Sequence, residues 1–232
     1  MTTRTHIYED EDGNVRVGDI LIVDKDPGDG VMVDLVTPTF PWRDLLGAIS
    51  IRGTGAADPS YNVYTGGIRG YQFAVNDEVF IEFHIPHDYV PGSAIYIHTH
   101  WSINGKTTAG VTAGTVTGGT VVWGCEVSYS KGHNQAAFST PFTTTTTSGQ
   151  TAATLFQHYI DETQLSATTP SATQIDSDII EVDGLILVRA FLSANNITVA
   201  SGAVPAPFLH FVDIHYQSTN VGTKNKAPDF WS

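Results

Sequence analysis

Alternation of apolar and polar residues predicts two β-strands in the middle of the chain, at Glu78–His84 and Ala94–Trp101. A Pro-Gly turn at 91–92 lies between them, and we expect the two strands to form a hairpin. Successive side chains on a strand point to opposite faces, so His98 and His100 project from one face, about 7 Å apart. His84 belongs to the polar face of its own strand.

Further strands are predicted by apolar runs along the rest of the chain. We expect them at Ile49–Arg52, within Tyr61–Phe73, at Val121–Ser130, at Leu185–Ser193 and at Phe208–Tyr216, while Phe138–Thr151 fits either a strand or a loop. Near-helical spacing occurs in Thr154–Leu165, and Asp44–Leu46 fits a single helical turn. Eight to ten strands with at most one short helix predict an all-β protein, either a β-sandwich or a jelly roll.

The first 40 residues differ from the rest. Residues 1–34 hold nine acidic and three basic side chains, interrupted by the apolar runs 20–23 and 31–36. We interpret residues 1–40 as an extended, acidic N-terminal arm whose short strands add to a neighbouring subunit or larger assembly; a frayed terminus is the alternative. Residues 41–232 then form a single β domain with a polar C-terminal tail at 217–232.

Charge and composition exclude several classes of function. The 232-residue chain has a net charge of −13 at pH 7, which argues against binding nucleic acid or an anionic membrane surface. No stretch approaches 18 consecutive apolar residues, and the first residues lack the apolar core of a signal peptide, so we expect synthesis in a cytoplasm without export. Cys125 is the single cysteine, and its apolar strand predicts a buried core residue.

Four histidines fall between residues 84 and 100, and three interpretations remain open for them. If the strands are neighbours, the histidines converge with Glu82, Glu126 and Asp213 into a site for Zn, Fe, Cu or Ni. His-x-His motifs of three chains would instead surround one ion on a threefold axis. We favour the third interpretation, histidines hydrogen-bonded to carboxylates or packed at a subunit interface, and expect no cofactor. If a metal is present, the expected ligands are His98, His100 and His84.

Motifs for catalysis are missing from the sequence. There is no G-x-S-x-G nucleophile motif, and the segment GTGAADP at 53–59 lacks the lysine of a phosphate-binding loop. We therefore expect no enzyme. Aromatic residues near glycine-rich loops keep carbohydrate binding open.

The segment Gly92–His100, GSAIYIHTH, resembles the first half of the cupin signature. In cupins the two histidines, a glutamate and a later histidine hold a metal inside a small β-barrel. The resemblance implies a metal-dependent enzyme that uses His98 and His100. The sequence departs from the pattern, because Asn104 and Gly105 occupy the positions where the glutamate is due.

Four longer stretches are similar to virion-associated proteins of tailed bacteriophages. They are WRDLLGAISIRGTG at 42–55, EFHIPHDYVPGSAIYIHTHW at 82–101, VSYSKGHNQAAF at 127–138 and DIHYQSTNVGTKNKAPDFW at 213–231. This resemblance implies a jelly-roll-like structural protein, trimeric and mounted on a capsid or tail. It carries no catalytic residues over to this chain.

The sequence therefore predicts a virion structural protein, either a capsid decoration or cement protein or a short head or tail fibre. The expected partners are further copies of the chain in a homotrimer, phage capsid or tail proteins, and host surface glycans. The expected attachment residues are Ile20, Leu21, Ile22, Val23, Trp42, Leu45 and Leu46, and the expected subunit contacts are Tyr96, His98, His100, Trp101, Phe230 and Trp231. The alternatives are a cupin-like metal-dependent enzyme and a carbohydrate-binding receptor module.

Overall fold

The computed structural model describes residues 40–52, 57–146, 154–220 and 226, together with the backbone of four short strands before residue 40. The chain divides into two compact units, Met1–Pro41 and Trp42–Ser232. We call them the N-terminal unit and the body.

The described part of the N-terminal unit consists of two antiparallel hairpins. Strand β1 (Ile7–Glu9) pairs with β2 (Val15–Val17), and β3 (Ile20–Ile22) pairs with β4 (Met32–Asp34). The two apolar runs noted in the sequence thus contain strands that pair with each other. Val23 lies outside the described residues.

The body is built from strands joined by turns and loops. Its strands are β5 (Trp42–Gly47), β6 (Ser60–Thr65), β7 (Ile68–Gln72), β8 (Glu78–His84), β9 (Tyr96–Ile103), β10 (Val116–Gly118), β11 (Val121–Ser130), β12 (Phe142–Thr145), β13 (Tyr159–Gln164), β14 (Ser166–Ala167), β15 (Ile175–Asp176), β16 (Leu185–Asn195), β17 (Thr198–Val199) and β18 (Pro207–Gln217). A single turn of 3₁₀ helix at Ser177–Ile179 is the helical element of the described residues.

Two antiparallel sheets form a β-sandwich, which confirms the predicted fold class. The smaller sheet has the strand order β12-β11-β16-β8. The larger has the order β13-β9-β18-β7-β6, and β5 pairs with the C-terminal half of β18. One apolar core takes side chains from both sheets, including Ile81, Trp101, Trp123 and Val188. Cys125 is buried in this core, as predicted.

The predicted hairpin between β8 and β9 is wrong, because these strands belong to different sheets. Strand β8 pairs with β16 in the smaller sheet, and β9 lies between β13 and β18 in the larger one. The connection from residue 85 to residue 95 therefore crosses from one sheet to the other instead of making a tight turn.

Three local predictions are also corrected. The segment predicted as a helix contains strand β13, in which Tyr159 and Asp161 are buried and Ile160 and Glu162 are not. That two-residue period fits a strand beside β9 and not a helix. The predicted helical turn at Asp44–Leu46 is part of strand β5, and of the predicted strand 49–52 only a single bridge, from Ser50 to Phe80, is formed.

Candidate functional site

The outer surface of the larger sheet carries a band of histidines and carboxylates across four neighbouring strands. Residues that pair directly across antiparallel strands share a face. The strand register therefore places one set of side chains on the face of the larger sheet that points away from the core. We call this set the histidine face: Tyr96, His98 and His100 of β9, Phe211, Asp213 and His215 of β18, Ile160 and Glu162 of β13, and Asp44 and Leu46 of β5.

His98 and His100 are largely buried although they lie on the outer face of the sheet. They are 5% and 7% exposed, while the alternate residues Ile97 and Trp101 are fully buried in the core. His98 and His100 therefore project from the same face of β9, as predicted. Both faces of β9 are covered, one by the sandwich core and the other by the side chains of neighbouring strands.

Asp213 lies at the centre of the histidine face. Its Oδ1 atom is 2.9 Å from His100 Nε2 and 3.8 Å from His98 Nδ1, and the residue is only 2% exposed. On the other side of the His98 ring, Nε2 lies 2.7 Å from the carboxylate of Glu162. At the edge of the face, Nε2 of His215 contacts the carboxylate of Asp44. Imidazoles and carboxylates therefore alternate across the strands.

Two separate hydrogen-bonded groups lie between His100 and β6, one that includes His158 and one that includes His210. His100 Nδ1 is 2.9 Å from His158 Nε2, and His210 Nε2 is 2.7 Å from the hydroxyl of Ser102, which donates to the hydroxyl of Tyr64. Burial and the charge of His100 lower the pKa of His158. Burial, followed by the charges of His158 and His100, lowers the pKa of His210. A lowered pKa favours the neutral form of each ring, in which one nitrogen donates a hydrogen bond and the other accepts one.

The nitrogen and oxygen atoms of this face are close enough to share a cation. Three overlapping sets have all their donor atoms within 4.8 Å of one another: His98, His100 and Asp213; His98, Glu162 and His215; and Asp44, Asp213 and His215. Neutral imidazole with carboxylate is a donor set that suits first-row transition metals.

The sequence predicted only part of this face. Asp213 converges with His98 and His100 as expected, but Glu162 and His158 were missed because their segment was predicted to be helical. The sequence gives no signal for a strand there, because Tyr159 and Ile160 are both apolar and the next four residues are all polar.

His84 does not belong to the histidine face. It lies in the smaller sheet, where its Nε2 is 3.2 Å from Asp183 Oδ1. His87 and His133 contact the same carboxylate. The predicted grouping of His84 with His98 and His100 is therefore wrong, because β8 and β9 are in different sheets. Glu82 and Glu126 are also in the smaller sheet, on β8 and β11.

Trp101 cannot serve as a subunit contact in this fold. Its side chain is fully buried, and its Nε1–H donates to Asp161 Oδ2 at 2.7 Å. Tyr96 is half-buried and meets Trp42 edge-on, with ring centroids 5.5 Å apart. Leu45 packs against the core. Phe230 and Trp231 lie outside the described residues.

The cupin-like arrangement expected from Gly92–His100 differs from the observed geometry. In cupins the metal lies inside the barrel, whereas His98 and His100 project from the side of β9 that faces away from the core. The side chains that point into the sandwich from this strand are Ile97, Thr99 and Trp101.

An apolar rim surrounds the polar centre of the histidine face. It consists of four large side chains that are 42–65% exposed, Trp42, Leu46, Phe156 and Ile160. Leu46 is directly opposite Asp213, and Ile160 is directly opposite His100. Phe156 packs edge-on against Tyr64 at 5.5 Å.

Within the described residues, no helix is long and apolar enough to cross a membrane. Comparison with models of known protein families found no match, and comparison with curated proteins found none either.

Proposed function

We propose that this protein is a structural component of a bacteriophage particle, a trimeric capsid decoration or cement protein or a short head or tail fibre. Its body associates with further copies through the histidine face and its apolar rim. Its N-terminal unit attaches the assembly to the capsid or tail. The resemblance of four sequence stretches to tailed-phage virion proteins supports the setting, and the surface of the larger sheet supports the mode of association.

The apolar rim is the observation that carries this proposal. The outward face of an antiparallel sheet in a sandwich is usually polar when it faces water. Here Trp42, Leu46 and Ile160 remain exposed on the same face as the buried polar side chains of Asp213 and His98. Apolar side chains grouped on one surface mark a site of association.

The partner proposed for this face is a second copy of the chain. Most oligomers of identical chains have closed cyclic symmetry, and in a trimer every contact repeats the same pair of surfaces, of which the histidine face with its rim is one. Tyr and Trp are enriched at such contacts because they combine a large apolar area with a polar group. The paired rings of Trp42 and Tyr96 supply that combination at one edge of the face.

Attachment by the N-terminal unit follows from its hairpins. Each hairpin has strands of only three residues, and in the described part each strand pairs with one other strand. Isolated two-stranded hairpins are at best marginally stable, and their free edges can pair with another chain. The proposed partner is therefore a capsid or tail protein that adds a strand to these edges.

The association is tested by placing a charge in the apolar rim. Leu46→Glu and Ile160→Glu each bury an unpaired carboxylate in the proposed contact, so we expect a mainly monomeric protein at concentrations where the wild type is trimeric. Val111→Glu is the matched control, because Val111 is 59% exposed and is not part of the histidine face. Light scattering after size-exclusion chromatography measures the chain count, and circular dichroism verifies folding. Folded rim variants that remain trimeric would contradict the proposal.

A further inference from the structure

We propose that His98, His100 and Asp213 bind one divalent transition-metal ion per chain, with Zn²⁺ as the reference ion. All three ligands come from a single chain, so the site does not depend on the assembly proposed above. The ligands lie on neighbouring strands β9 and β18, within a regular part of the sheet.

The distances between the donor atoms fit the first coordination shell of a metal. Ligand atoms about 2.0–2.1 Å from a tetrahedral zinc ion are about 3.3 Å from one another. Asp213 Oδ1 is 2.9 Å from His100 Nε2 and 3.8 Å from His98 Nδ1, which brackets that value. Small rotations of side chains therefore suffice to form the site. Two histidines and one carboxylate leave further coordination positions for water.

The outer hydrogen bonds of both histidines fit the same arrangement. A histidine that binds a metal through one nitrogen usually donates the N–H of the other to a carboxylate or another acceptor. His98 Nε2 lies 2.7 Å from the Glu162 carboxylate, so in the neutral tautomer that donates to Glu162 the free Nδ1 faces Asp213. His100 Nδ1 is 2.9 Å from His158 Nε2, so its Nε2 is the atom presented to Asp213. Each ring is thus oriented by a partner outside the triad.

The charge balance calls for a cation at Asp213. Its carboxylate is almost completely buried, and within the described residues its ion-pair partners are His98 and His100, not a lysine or an arginine. A buried carboxylate needs a positive partner. Either a proton held by a histidine or a metal ion supplies it, and a dication also offsets the nearby charge of Glu162.

A route from solvent to the site passes along the edge of the histidine face. The side chains of Glu162 and Asp44 are each 55% exposed, and His215 is partly exposed between Asp44 and the ring of His98. These groups belong to the overlapping donor sets described above. They are positioned to capture an ion and pass it to the buried triad.

The test uses full-length protein freed of metal with a chelator. Co²⁺ is titrated in and followed by its visible absorption bands, which report coordination by nitrogen and oxygen, and Zn²⁺ is then added as a competitor. We expect one ion per chain. Asp213→Asn should reduce the affinity more than a hundredfold, and Glu162→Gln should reduce it about ten- to hundredfold through the orientation of His98.

Asp183→Asn is the matched control. Asp183 is also a carboxylate contacted by several histidines, but in a different part of the body, and its backbone φ of 61° suits asparagine. This variant should bind Co²⁺ like the wild type. Glu162→Gln changes a half-exposed residue, so its result remains informative if Asp213→Asn fails to fold. Wild-type affinity in both site variants, loss of binding in the control, or one ion per three chains would each overturn the proposal.

Discussion

Asp161 is a carboxyl group buried on the inner face of β13, and we predict that Asp161→Asn stabilises the protein at neutral pH but not in acid. The residue is 3% exposed and accepts a hydrogen bond from Trp101 Nε1. Burial raises its pKa from 3.8 to about 6, although the hydrogen bond from Trp101 opposes the shift. Asparagine retains an oxygen that accepts the same bond and carries no charge.

The sign and size of the effect follow from the pKa shift. Below about pH 4 the group is protonated in both folded and unfolded chains, and no penalty arises. Between about pH 4 and pH 6 the unfolded chain loses the proton first, so the free energy of unfolding falls as pH rises. Above about pH 6 the full penalty is present. A shift from 3.8 to about 6, at about 1.4 kcal/mol per pH unit, corresponds to about 3 kcal/mol.

Urea denaturation of the wild type and Asp161→Asn across this pH range measures the difference. The free energy of unfolding of the variant minus that of the wild type should rise by about 3 kcal/mol between about pH 4 and pH 7. Asp178→Asn, at an exposed carboxylate, is the control and should show little change. A difference that stays flat, or that falls as pH rises, would refute the reasoning.

Three further outcomes are expected. Gly47→Ala places a methyl group onto the buried Ile81 side chain and should lower the free energy of unfolding by about 1–3 kcal/mol. Gly67→Ala is the control, because Gly67 has open space around it and the same change should alter the free energy of unfolding little. Chemical denaturation compares the two variants with the wild type. Cys125, fully buried with its pKa raised to about 12 by burial, should react with a thiol reagent only after unfolding, and rapid labelling of the native protein would be inconsistent with the fold. A chain without residues 1–40 should keep the cooperative unfolding of the body but fail to join the particle; incorporation at the wild-type level would argue against attachment by this unit.

The strands of the body could be predicted from the sequence where their pattern is strong. The predicted bounds of Glu78–His84 and Val121–Ser130 are those of β8 and β11. Period-two alternation of apolar residues specifies a strand locally, because one face must be buried. The pattern does not specify which sheet a strand joins. That choice depends on pairing between distant segments, such as β9 with β13 and β18.

The candidate site was predictable only for residues in clear strands. His98, His100 and Asp213 lie in strands predicted from their pattern, and they converge. Glu162 was missed because Leu155, Tyr159 and Ile160 have near-helical spacing, while pairing with β9 determines the strand. Local propensity is a weak guide for a short segment whose hydrogen bonds are completed by a neighbouring strand.

The central claim is that the chain assembles with itself through the larger sheet. The most direct test is native mass spectrometry of the full-length protein, because it reports the number of chains and any bound ion together. The mass of one chain is 25.0 kDa, so a trimer has a mass of about 75 kDa. We predict a trimer in the wild type and a single chain in Leu46→Glu. A wild-type protein that remains a single chain at micromolar concentration would contradict the claim.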